Sequence, residues 1–73
     1  MEDIKSLEAR IVQLELSNHF LNLLVMKLIN KSEINVLDDF EWVLNDNKEY
    51  YPDFNISKSF NPGAYIAKPK EDE

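Results

Sequence analysis

The sequence predicts an all-α fold in which an N-terminal parallel coiled-coil helix is followed by a short second helix and an irregular aromatic C-terminal tail. Residues 1–51 contain neither proline nor glycine, which favours helix throughout that stretch. Four heptads of apolar residues run along its first part. A single chain of 73 residues without cysteine also buries little apolar surface and has no disulfides to compensate. We therefore expect two copies to share a dimeric four-helix core.

The first helix is predicted over residues 3–30 and carries the signal for dimerisation. With Ile4 at heptad position a, every a and d position as far as residue 28 is apolar except for one asparagine. β-branched residues at a and leucine at d favour parallel two-stranded pairing, and a lone asparagine at a fixes the register. This pattern resembles that of leucine zippers over residues 4–28. The predicted dimerisation residues are Ile4, Leu7, Ile11, Leu14, Asn18, Leu21, Val25 and Leu28.

An amphipathic helix that packs only within its own chain is the alternative, since it shows similar spacing. Over residues 4–18, however, the apolar stripe is narrow, apart from Val12 and Leu16, which is typical of a two-stranded pair. From Phe20 the helix becomes apolar on nearly all sides and needs several covering neighbours. The second helix, predicted over residues 33–47, offers one cover and completes a helical dimerisation domain over residues 1–51. Its apolar face consists of Val36, Leu37, Phe40, Val43 and Leu44.

Residues 52–73 are predicted to form an extended tail laid against the helices, with a weak hairpin as the alternative. Pro52-Asp53 and Asn61-Pro62-Gly63 are turn signals, and glycine suits the position of a type II turn that requires positive φ. The aromatic and aliphatic residues between the turns are irregularly spaced. The last residues, from Lys68, are charged and lack hydrophobic side chains, so we expect them to be disordered.

The formal net charge of −6 belongs to the second helix and the turn after it. Residues 1–31 and residues 55–73 are each neutral, whereas residues 32–54 contain seven acidic side chains and one lysine. Trp42 lies on the acidic side, and an aromatic anchor rimmed by charge is a common form of binding hot spot. The alternative is a solvated helix face with the tryptophan folded over its own core. The predicted partner-binding residues are Asp38, Asp39, Glu41, Trp42 and Asp46.

Composition and spacing argue against several functional classes. The acidic balance disfavours direct binding to nucleic acid or anionic membranes, and no basic segment precedes the heptads to read DNA. Asp38 and Asp39 point about 100° apart on a helix and do not converge like catalytic carboxylates. His19 is predicted to face outward, and the single glycine lies in a turn rather than a phosphate-binding loop. We therefore expect neither an enzyme nor a bound cofactor or metal.

The N-terminus is acidic and the most apolar stretch is ten residues long, so we expect no secretory signal or membrane span and a cytoplasmic location. The predicted function is a non-enzymatic homodimeric regulatory module that docks its acidic helix on a partner protein with a basic groove. One alternative is an acidic mimic of nucleic acid that inhibits a DNA- or RNA-handling enzyme, as in phage counter-defence. Another is an accessory subunit whose apolar surface is completed in a larger complex.

Overall fold

The computed structural model describes residues 3–70, which form two helices and a two-stranded antiparallel sheet. The long dimension of the molecule, 45 Å, follows from the 26 residues of the first helix. The elements in chain order are α1 (Ile4–Ile29), α2 (Val36–Asn47), a 3-10 turn (Lys48–Tyr50), β1 (Phe54–Lys58) and β2 (Tyr65–Pro69).

The all-α prediction is wrong, because the predicted irregular tail forms a β-hairpin. Ile56 pairs with Ala67 at the centre of the register, and Asn61-Pro62-Gly63 forms the connecting turn. Gly63 has φ 94°, and the Ala64 N–H donates to the Asn61 carbonyl oxygen at 3.1 Å, as a type II turn requires. Side chains of both strands alternate between inner and outer faces, which is the pattern of a half-buried sheet.

The core lies between one face of α1, the inner face of α2 and the hairpin. Edge-to-face aromatic contacts join the three parts: the Phe20 and Phe40 ring centroids are 5.7 Å apart, and those of Phe40 and Tyr65 are 4.8 Å apart. The Tyr65 hydroxyl donates to the Phe40 carbonyl oxygen at 2.8 Å, so its polar end is satisfied within the core. The buried apolar residues are Ala9, Val12, Leu16, Phe20, Phe40, Val43, Tyr65 and Ala67.

The prediction of a coiled-coil dimer with a four-helix core is also wrong, because α1 is a single long helix that packs on its own chain. Its buried residues, Ala9, Val12, Leu16 and Phe20, fall at heptad positions f, b, f and c. They form a buried apolar row at spacings of three and four residues, which is separate from the row of heptad positions a and d. Because α2 and the hairpin both cover this buried row, the helices of a second copy are not needed to build the core.

The helix ends show how local polar contacts set the element boundaries. Asp3 caps α1 by accepting the Ser6 N–H at 2.8 Å. The cap of α2 is Asn35, whose side-chain oxygen accepts the Asp38 N–H at 3.1 Å, so this helix begins at Val36 rather than at residue 33. Ser32, which precedes the predicted start, instead lies just after α1 and donates its N–H to the Lys27 carbonyl oxygen at 2.8 Å.

The predicted disorder at the C-terminus is wrong for the described part of that segment. Lys68 and Pro69 belong to β2, and the Lys70 N–H donates to the Asp53 carbonyl oxygen at 2.9 Å. The remainder of the segment, residues 71–73, lies outside the described residues. Pro69 pairs with Phe54 of β1, whose side chain packs against the core, so this end of the hairpin is anchored.

Candidate interaction surfaces

The predicted dimerisation residues lie together on the outer face of α1, opposite the core. We call this set the α1 stripe. Its seven apolar members range from 45% exposed at Leu7 to 74% exposed at Ile4, and Asn18 is exposed near the middle. Single exposed apolar residues are ordinary on protein surfaces, but a contiguous row of this length marks an interaction site. The apolar members are Ile4, Leu7, Ile11, Leu14, Leu21, Val25 and Leu28.

The five predicted partner-binding residues of α2 are divided by the structure into two groups. Asp38, Trp42 and Asp46 are exposed, and none of them forms an ion pair among residues 3–70. The other two carboxylates are paired with lysines from other elements. Glu41 accepts from the Lys58 ammonium at 2.9 Å, and the side chain of Glu41 remains 61% exposed while that of Lys58 is 38% exposed.

Asp39 does not lie on the surface, because it is buried where α2 meets α1. It is 5% exposed, and its Oδ1 accepts from Lys27 Nζ at 2.7 Å. Its second oxygen, Oδ2, is also buried and has no hydrogen-bond partner within residues 3–70. A buried carboxylate oxygen left without a donor is costly, so this atom is an unusual feature in a core of this size.

A pocket of about 280 Å³ lies at this contact between α1 and α2, and we call it the α1–α2 pocket. Leu23, Lys27, Asp38, Asp39 and Trp42 line it. Sequence reasoning identified the three α2 residues but missed the two from α1. A signal was present, since Lys27 interrupts the apolar run of the first helix and an acidic helix follows it along the chain.

Two tyrosine hydroxyls are hydrogen-bonded, and neither is set up to ionise near neutral pH. Burial raises the pKa of Tyr65 to about 12. Burial also raises the pKa of Tyr51, and the Glu15 carboxylate that accepts its hydroxyl at 3.1 Å adds to the effect. Raised pKa values of this kind stabilise the neutral phenol and do not favour a general base.

Across residues 3–70, no group of three or more histidine or carboxylate side chains is placed to hold a metal ion. None of the helices in the same range combines the length and apolar character that a membrane crossing demands. His19, which was predicted to face outward, is exposed on α1.

No protein-family model matches this chain, and neither a curated protein nor a solved structure is significantly similar to it. Its function is therefore inferred from the chemistry of the α1 stripe and the α1–α2 pocket.

Proposed function

We propose that this chain is a non-enzymatic protein-binding module that docks the outer face of α2 on a partner protein and self-associates through the α1 stripe. This self-association is a contact between the surfaces of two folded chains, and it is distinct from the coiled-coil dimer with a shared four-helix core that the fold contradicts. The exposure of the stripe carries this proposal. The core occupies the opposite face of α1, so the chain itself leaves seven large apolar side chains in contact with water.

A second copy of the chain is the occupant that suits the stripe best. In a symmetric contact the same surface serves both partners, and a straight row of apolar side chains on a helix is complementary to itself. Burying half of a leucine or isoleucine side chain gains about 1 kcal/mol, whereas association costs roughly 4–15 kcal/mol. Stable self-association therefore requires most of the stripe, from Leu7 to Leu28, to be engaged in both copies.

Asn18 favours one specific pairing of the two copies over nonspecific apolar association. Its amide lies in the middle of an apolar row, where burial without a hydrogen-bond partner is costly. Arrangements that give this amide a partner in the other copy are therefore favoured over arrangements that do not.

The outer face of α2 supports docking on a partner with a basic groove. Asp38 and Asp46 flank the exposed indole of Trp42, which is an aromatic anchor with charge around it. Mimicry of nucleic acid is less well supported, because lysines already neutralise Asp39 and Glu41 and so interrupt any phosphate-like array of carboxylates.

Light scattering or sedimentation of three proteins at several concentrations tests the self-association. Wild type is expected to be dimeric at tens of micromolar, and Leu14→Glu monomeric, because it places a charge in the middle of the stripe. Leu37→Glu is the matched control: Leu37 on α2 is 67% exposed, against 70% for Leu14, and lies outside the stripe. It should remain dimeric.

Circular dichroism should show unchanged helix content in both variants, because both positions are solvent-exposed in the single chain. A wild-type protein that is monomeric at these concentrations would refute the self-association. So would equal dissociation of the two variants, since the effect would then not be specific to the stripe.

A further inference from the structure

The α1–α2 pocket has an unbalanced charge. It contains two carboxylates, those of Asp38 and Asp39, and one ammonium group, that of Lys27. Lys27 Nζ already donates to Asp39 Oδ1 at 2.7 Å, while Asp39 Oδ2 is buried without a partner and the Asp38 carboxylate is unpaired within residues 3–70. A ligand that complements this pocket must therefore be cationic and must bring hydrogen-bond donors.

The apolar part of the pocket indicates the shape of that ligand. Leu23 and Trp42 supply the apolar lining, and Trp42 is 55% exposed. Indole is the side chain that binds cations over its face most favourably. A volume of about 280 Å³ lies below the range of about 300–1,000 Å³ that is usual for small-molecule sites. The pocket therefore suits a single side chain of another protein.

We propose that the α1–α2 pocket binds the guanidinium group of an arginine on the partner protein. A guanidinium carries five donors in a planar fork and is weakly hydrated, so it can stack on Trp42 while donating to the exposed carboxylate of Asp38. The ammonium of a lysine is a compact, strongly hydrated charge that stacks less well.

Two other clefts in the described part of the chain lack this combination. The cleft between the start of α1 and the hairpin is lined by Lys5, Lys70, Glu8 and Asp53, whose charges balance. Asp39 Oδ2 is also the only buried side-chain polar atom without a partner in the described part of the chain. The excess negative charge of the α1–α2 pocket therefore belongs to the carboxylate of Asp38, which is unpaired within residues 3–70 and lines the pocket together with Trp42.

This inference deepens the proposed docking of α2, and it can be tested without knowing the partner. Trp42 is the only tryptophan in the sequence, so its intrinsic fluorescence reports on the pocket directly. The full chain would be titrated with three capped Gly-Ser peptides that are identical except for one central arginine, lysine or citrulline. The arginine peptide is expected to bind at least about tenfold more tightly than the lysine peptide, and the citrulline peptide, which is uncharged, is expected not to saturate.

Two variants with the same change of charge locate the site. Asp38→Asn is expected to weaken binding of the arginine peptide about tenfold, because it removes an acceptor that lines the pocket. Asp53→Asn, at an exposed carboxylate outside both the pocket and α2, is expected to change the affinity less than twofold. Equal binding of the arginine and lysine peptides, no binding of either, or equal losses in the two variants would each overturn the proposal.

The same titration separates this proposal from the proposed self-association. The pocket uses Leu23 and Lys27 of α1, which are not members of the α1 stripe, so Leu14→Glu should bind the arginine peptide with wild-type affinity. Failure of the peptide to bind a dimeric wild-type protein overturns the inference alone. Selective binding of the arginine peptide to a monomeric wild-type protein supports the inference and refutes the self-association.

Discussion

Lys31 follows α1 in a backbone conformation that usually selects glycine. Its φ is 57°. The Ser32 N–H donates to the Lys27 carbonyl oxygen at 2.8 Å, and the Lys31 N–H donates to that of Leu28 at 3.2 Å. These two bonds are those of a Schellman motif, in which a β-carbon in the left-handed region costs about 1–2 kcal/mol. Lysine is tolerated here because the motif satisfies the carbonyl groups at the end of α1.

Gly63 and Lys31 are expected to respond to substitution with opposite signs. Lys31→Gly should raise the free energy of unfolding by about 0.5 kcal/mol, because relief of the strained φ exceeds the added flexibility of the unfolded chain. Gly63→Ala should lower it by about 1–3 kcal/mol, since φ is 94° and an added Cβ lies 3.1 Å from two ring atoms of Phe20. Urea denaturation measures both changes, and changes of the same sign would contradict this account.

Tyr65 makes the folded chain less stable as the pH rises into the alkaline range. Its pKa in the folded chain is about 12, because it is buried, whereas an unfolded tyrosine titrates near about 10. Between these values the folded chain keeps a proton that the unfolded chain has lost, so stability falls as the pH rises from 10 towards 12. The loss approaches roughly 3 kcal/mol at the upper limit.

Denaturant unfolding at several pH values above about 9 measures this decline. Tyr65→Phe should be less stable than wild type at neutral pH, because the Phe40 carbonyl oxygen loses its donor, but its stability should fall less steeply at high pH. Tyr51, whose pKa is also raised, leaves a residual slope in the variant. Identical slopes in the two proteins would exclude Tyr65 as the source.

At the scale of elements, the hairpin is held to α1 by a polar contact as well as by its buried side chains. The Ala67 N–H of β2 donates to Gln13 Oε1 of α1 at 3.0 Å. Unpaired edge strands are prone to association with other chains, and covering an edge with a helix is one way in which proteins protect it. Gln13 thus satisfies a backbone donor on the side of β2 that faces away from β1.

Substitution of Gln13 is expected to show whether an acceptor is required at this position. Gln13→Ala should lower the free energy of unfolding by about 1–2 kcal/mol, because the Ala67 N–H is left partly buried without a partner. Gln13→Glu keeps an acceptor oxygen and should lower the free energy of unfolding by less. Amide hydrogen exchange at Ala67 provides a local readout and should accelerate more in the alanine variant. Equal losses would indicate that the side chain acts only through packing.

The sequence predicts the bounds of some elements better than those of others. The bounds of α1 agree with the sequence within one residue, since no breaker interrupts it and Asp3 caps it. The start of α2 was misplaced because Ser32 and Asn35 are both good caps, and the choice between them depends on how α1 ends. The hairpin is only the weaker alternative in the prediction, because Ile66 of β2 is apolar but 37% exposed, and its position between the buried Tyr65 and Ala67 hides the alternation in the sequence.

At the scale of the whole molecule, the two candidate interaction surfaces do not share residues. The core occupies one side of α1 and the stripe the other, while the α1–α2 pocket lies where α2 meets Leu23 and Lys27. The proposed self-association through the stripe would therefore use none of the residues that line the pocket. A dimer would present two acidic docking sites, and the net charge of −6 per chain would reinforce its attraction to a basic partner.

The α1 helix, its apolar stripe and the placement of the acidic residues were determined by the sequence alone, because periodicity and composition are local properties. Tertiary structure alone decided which apolar face of α1 is buried. The helix has two such faces, the α1 stripe and the face that contains Val12, Leu16 and Phe20, and α2 and the hairpin pack against the second. Tertiary structure also separated Asp39 from the exposed acids by pairing it with Lys27. The hydrophobic effect has no direction of its own, so the choice between two apolar faces depends on which other elements pack against the helix.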